Sequence, residues 1–117
     1  MLRTKNNSFG VLARIRGLPE KADELRQHLY ELVSLTQAES GCLSCQLIEN
    51  QFDPTEFTLL EDWTNKEAHD SHFGSDLIKS ALRTLTALLS RDLNLRKNIL
   101  CVNSVKYGAN SYCLAVG

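Results

Sequence analysis

Residues 42–63, CLSCQLIENQFDPTEFTLLEDW, decide how this chain folds. Two runs of aliphatic, β-branched and aromatic residues, 43–52 and 57–63, flank Asp53-Pro54-Thr55. Proline presets one turn dihedral and aspartate bonds nearby backbone, so these few residues reverse the chain. Strands joined by so short a polar link pair antiparallel, as a hairpin. Along the second strand Phe57, Leu59, Glu61 and Trp63 share one face by alternation. Either helices or a second molecule covers that face, and the residues alone leave both open.

Working outward toward the N-terminus, FGVLARIR (9–16) reads as a strand stopped by Gly17. Pro19 suits the first turn of a helix. Ala22, Leu25, Leu29, Leu32, Val33 and Thr36 then recur at helical spacing, with Glu20, Lys21, Glu24, Gln27 and Glu31 on the other side. This helix should end near Glu39, with Gly41 as its stop. Toward the C-terminus, Thr64-Asn65-Lys66-Glu67 resembles a capping box and predicts a short helix through Phe73. Gly74 breaks it and Ser75 can cap the next. Leu77, Ile78, Ala81, Leu82, Leu85, Leu88 and Leu89 predict a second long amphipathic helix. A last strand is expected within 93–107, with Cys101, Asn103 and Val105 alternating against their neighbours. The closing GANSYCLAVG predicts no element.

The order β-α-β-β-α-α-β is that of an α+β, ferredoxin-like fold: an antiparallel four-stranded sheet with helices on one face. The expected organisation is one domain over residues 1–117, with a core from about 9 to 107 and tails at 1–8 and 108–117. The helices cover one sheet face only. A second copy of the sheet is the simplest cover for the other, so a homodimer is expected.

Composition narrows the function. With 13 basic and 14 acidic residues the formal net charge is −1, which gives no basic excess for nucleic acid. No apolar run approaches a membrane span, and MLRTKNNSFG lacks the apolar core of a signal peptide, so a cytoplasmic protein is expected. Of the four cysteines, Cys42 and Cys45 form a CxxC, which can mark a redox pair or half a zinc site. On a strand, residues three apart point to opposite faces, and no second CxxC exists to complete four ligands. Structural thiols are therefore expected, and no metal.

Several of these residues carry a resemblance. Glu39-Ser40-Gly41-Cys42 follows the first helix, Asp53-Pro54 sits in the hairpin, Glu61-Asp62-Trp63 closes the third strand, and His72 stands nine residues beyond Trp63. Together they resemble the antibiotic biosynthesis monooxygenase (ABM) domain, a dimeric α/β-barrel family that includes cofactor-independent quinol and anthrone monooxygenases. The resemblance spans most of the chain, about residues 9–89. Two departures stand out. Cys45 occupies a strand position where many members have tyrosine, and Ser75-Asp76-Leu77-Ile78 replaces a run that carries a second histidine. The haem-degrading branch is also similar locally, at Ser75-Asp76-Leu77-Ile78-Lys79. Its asparagine, tryptophan and axial histidine have no counterparts here, so haem is not expected.

The resemblance implies a cofactor-free reaction of dioxygen with an electron-rich phenolic substrate. Such a site must remove a proton, hold the planar anion in an apolar cavity and keep water out. Histidine suits proton removal at neutral pH. The expected assignments are His72 as base, Glu61 as its orienting partner and Trp63 as a wall of the slot beside Phe57. His69, three residues before His72, can share its side of the helix as a substrate contact. Lacking a family counterpart, it is otherwise read as solvent-facing. Two alternatives stand beside this reading: an isomerase of a small phosphorylated ketone, as in one ABM branch, and a non-catalytic dimer that binds a small ligand. An arginine-lined cavity would mark the isomerase, an apolar one the oxygenase, and a plugged one the non-catalytic dimer.

Overall fold

The computed structural model describes residues 8–90 and the backbone of 99–102. Its strands and helices follow in the expected order: β1 (Phe9–Arg16), α1 (Ala22–Gln37), β2 (Cys42–Glu49), β3 (Glu56–Trp63), α2 (Lys66–Phe73), α3 (Asp76–Thr86) and β4 (Ile99–Val102). A 3-10 turn at Pro19–Lys21 precedes α1. The sheet order is β2-β3-β1-β4, and every neighbouring pair is antiparallel. β3 thus lies between β1 and β2, the split βαβ arrangement of an α+β ferredoxin-like fold. The expected last strand falls on β4 in part, while residues 93–98 and 103–107 lie outside the described residues. So do the ends at 1–7 and 108–117.

The stripe read on α1 is the buried one: Ala22, Leu25, Leu29, Leu32, Val33 and Thr36 all face inward. Leu25 and Leu29 are fully enclosed, and burial of each such side chain contributes about 1.5–3 kcal/mol. They meet Ala13 and Ile15 of β1 and Phe57 and Leu59 of β3 in one core cluster. The face of β3 that alternation left open therefore packs under the helices. The opposite face carries Leu12, Leu60 and Ile48 among Arg14, Thr58 and Gln46, as the cross-strand register places them.

Some boundaries differ from expectation, each for a local reason. β2 stops at Glu49 because the Asn50 side chain turns back to accept from the Phe52 amide at 2.8 Å, which draws residues 50–52 into the link. Asp53 then accepts from the Thr55 amide at 3.0 Å and its hydroxyl at 2.7 Å. α1 ends at Gln37, before Glu39, and Gly41 has no left-handed backbone. Glycine is needed at that position for space, since a Cβ would lie 2.5 Å from Ala68 Cβ. Asn65, not Thr64, caps α2, accepting from the Ala68 amide at 2.8 Å. Ser75 caps α3 as expected. That helix ends at Thr86, so Leu88 and Leu89 are buried beyond it, where Leu89 bridges to Gly17. Leu77, read as part of the apolar stripe, is exposed. No helix among the described residues is long and apolar enough to cross a membrane.

Candidate active site

β3 ends where α2 begins, and this junction gathers the expected residues. Alternation sends Glu61 and Trp63 toward the helices, and the Asn65 cap launches α2 directly above them. His69 and His72, three apart, fall on its inner side. Both are buried, at 7% and 4% exposure. The reading of His69 as solvent-facing is thereby corrected: Phe9, Trp63 and Phe73 surround it, at ring separations of 5.5, 5.9 and 5.8 Å. A lone helix pattern could not reveal this, because Phe9 comes from the far end of the sequence. Trp63 also lies 4.8 Å from the His72 ring, tilted by 37°. Its indole Nε1 donates to Glu61 Oε1 at 2.8 Å.

Beside these groups lies a cavity of about 50 Å³ between the sheet and the helices. Val11, Ala13 and Ile15 of β1, Leu59 of β3, Leu32 of α1 and Ile78 of α3 form its aliphatic walls. Its polar lining consists of Glu61, His69, His72 and Thr36. Phe73, 40% exposed, also borders it. Two expected wall residues stand back from it. Phe57 belongs to the core cluster, and Trp63 forms a second layer behind the histidines.

Thr36 and Glu39 belong to the site without having been singled out for it. Thr36 Oγ1 lies 3.4 Å from His72 Nε2 while donating to Leu32 O at 2.7 Å. Glu39 Oε2 lies 3.8 Å from His72 Nδ1. One signal was available in the sequence: a hydroxyl on an otherwise aliphatic stripe must find a buried partner. Burial pulls the His72 pKa below the ordinary histidine value, and the carboxylates of Glu61 and Glu39 oppose that pull. The ring is therefore neutral at pH 7 and able to accept a proton.

The cysteines require another correction. The register shifts between Cys42 and Ser44, so Cys42 pairs with Trp63 and Cys45 with Glu61. A bulge of this kind places both thiols on the helix-facing side, against the alternation expected of a regular strand. Burial, followed by the Glu61 carboxylate, pushes Cys45 up to about 12 and Cys42 up to about 11. Thiols so strongly protonated are poor nucleophiles and poor metal ligands. Among the described residues no group of three or more histidine, cysteine, aspartate or glutamate side chains is placed to hold a metal ion.

The comparisons with known proteins agree with this architecture. The sequence model of the antibiotic biosynthesis monooxygenase family matches residues 8–84, and the chain belongs to that family. A conserved protein from Methanosarcina mazei, 24% identical, shares the fold with a TM-score of 0.74 over 85% of this chain and 94% of its own. A Mycobacterium tuberculosis protein is 28% identical, with a TM-score of 0.71, covering 82% of this chain and 93% of its own. A solved structure named antibiotic biosynthesis monooxygenase is 26% identical, with a TM-score of 0.68 over 80% and 93% of the two chains. No curated protein matches the chain.

Proposed function

We propose that this protein is a cofactor-independent monooxygenase that oxidises a quinol- or anthrone-like phenol with dioxygen. The observation that carries the reading is a buried imidazole at the edge of an aliphatic cavity, its pKa held below the ordinary histidine value by burial. His72 takes the phenolic proton. The resulting anion gives one electron to dioxygen, the radical pair combines to a peroxide, and that peroxide collapses to a carbonyl and water. One oxygen atom enters the product, the other leaves as water, and the substrate supplies all the electrons. The aliphatic walls keep bulk water from the peroxide stage. Glu61 faces the same cavity, and Trp63 holds the imidazole from behind.

The cavity is smaller than the roughly 300–1,000 Å³ of sites for drug-sized ligands. A single-ring quinol is accordingly favoured over a tricyclic anthrone, with Phe73 as the side chain that yields on entry. The same small volume is what favours the second reading, a non-catalytic binder. The isomerase has less support, because no arginine of the described residues lines the cavity. Ile48, 44% exposed, and half-buried Leu60 on the sheet face away from the helices support a homodimer built sheet to sheet. Free thiols at Cys42 and Cys45 support a reducing, cytoplasmic location.

The test is oxygen uptake by purified protein, without added metal or flavin, across a panel of mono- and polycyclic quinols. Uptake above autoxidation that is lost in His72→Ala is the expected result. Uptake equal to autoxidation throughout the panel would leave the non-catalytic binder in its place.

A further inference from the structure

We propose that Thr36 and Glu39 set the tautomer and the titration of His72, Thr36 keeping the ring proton on Nε2 and Glu39 stabilising the ring cation at Nδ1. The proposal rests on the reading of His72 as the base and adds to it two residues from a different part of the chain.

A threonine hydroxyl has a single proton, and Thr36 spends it on the Leu32 carbonyl one helical turn back, at 2.7 Å. What Thr36 then offers to His72 Nε2, 3.4 Å away, is a lone pair. Only an Nε2–H makes that contact favourable. A neutral imidazole carries one N–H, so Nδ1 is left as the bare, basic nitrogen. Nδ1 is buried and has no hydrogen-bond partner among the described residues. A buried polar atom in that state calls for an explanation. The nearby group is the Glu39 carboxylate, whose Oε2 stands at 3.8 Å, slightly too far for a hydrogen bond.

Each ring nitrogen therefore faces an acceptor. That is a poor setting for the neutral ring and a good one for the imidazolium. Once Nδ1 gains a proton, a small movement of Glu39 closes the gap to a charge-assisted hydrogen bond. Glu39 has the freedom to make it: its side chain is 41% exposed and sits on the turn between α1 and β2. Its backbone is held, since its amide donates to Thr36 O at 3.1 Å and its carbonyl accepts from the Cys42 amide at 3.1 Å. One end of Glu39 thus meets the buried ring and the other meets solvent, which gives the proton a way out.

Other groups act on the ring as well. Glu61 of β3 favours its charged form and His69 of α2 disfavours it, while the Cys45 thiol of β2 lies beside Thr36. From β1 and α3 the cavity side receives Val11 and Ile78. Glu61 Oε1 accepts from Trp63, whereas Glu39 is the carboxylate with an oxygen placed 3.8 Å from Nδ1. Glu39 takes the orienting role.

The experiment records imidazole ¹⁵N spectra through a pH titration for wild type, Thr36→Val, Thr36→Ser and Glu39→Gln. Neutral His72 in the wild type is expected with Nε2 protonated and Nδ1 bare. Thr36→Val should mix the two tautomers, and Thr36→Ser should restore the wild-type pattern even if the valine variant folds poorly. Glu39→Gln should move the His72 titration, and the acid limb of any pH–rate profile, to lower pH. A wild-type ring protonated on Nδ1, or a Glu39→Gln titration superimposable on wild type, would overturn the proposal. None of these spectra needs a substrate. The expected tautomer without oxygen uptake removes the oxygenase and leaves this arrangement standing, whereas uptake with the opposite tautomer does the reverse.

Discussion

Trp63 donates its indole N–H to the Glu61 carboxylate at 2.8 Å, although the two belong to the same strand and are only two positions apart. Alternation puts both side chains on the helix-facing side of β3, and the bond joins them there. It fixes the carboxylate at the cavity and the indole plane 4.8 Å from the His72 ring. A single interaction thus orients two of the groups on which the proposed chemistry depends.

Replacing the indole tests that relationship. Trp63→Phe keeps most of the ring volume but leaves a buried carboxylate short of one donor, a loss of about 1–3 kcal/mol. Urea denaturation should register it as a lower midpoint with little change in slope. A variant as stable as wild type would mean that the bond contributes nothing.

Protonation of His72 should appear in stability as well as in rate. Burial holds its folded-state pKa below that of the unfolded chain. Between the two values the unfolded chain binds more protons, so stability rises with pH across that interval. Its full contribution is present above about pH 6.5 and is lost as pH falls toward the folded value. His72→Gln should flatten this dependence in urea midpoints taken at about pH 7.5 and about pH 5.5. In turnover, His72→Ala should lower kcat by about 10²–10⁴, the usual contribution of a positioned base.

Gly41 governs how closely α2 approaches the start of β2. A Cβ there would lie 2.5 Å from Ala68 Cβ and 3.7 Å from the Trp63 ring. Gly41→Ala is expected to cost about 1–3 kcal/mol as overpacking, and to displace the helix that carries both buried histidines. Melting temperature reads the first effect, and altered His69 and His72 ring resonances read the second.

The Asn65 cap matters because α2 is short. At eight residues the helix has few bonds of its own, and the Asn65 side chain satisfies one of its open amides. Asn65→Ala should cost about 1 kcal/mol, with faster amide exchange in the first turn of α2. Asn65→Asp should restore most of the loss. Equal exchange in Asn65→Ala and wild type would show that packing alone holds the helix.

How much of this was legible beforehand depends on the range of the interactions involved. β1 and the buried stripe of α1 were readable residue by residue, because strand and helix periodicity repeats over two to four positions. The Trp63/His72 pair was readable from spacing and resemblance, and the two rings do meet. Glu61 lines the same cavity as His72 and also accepts from Trp63, a relationship that alternation allowed but could not select. The opposite-face reading of Cys42 and Cys45 failed on one inserted residue, since a bulge reverses facing without changing composition.

The order of strands and helices, and the residues that share the inward faces of α1 and β3, came from the sequence by itself, because those properties depend on neighbours a few residues away. The burial of His69 beneath Phe9, the layer Trp63 occupies and the meeting of Thr36 with His72 across 36 positions were decided only when the sheet and helices closed on one another. Side chains so far apart in the chain are brought together by packing and by the need to satisfy buried polar atoms, and neither leaves a period in the sequence.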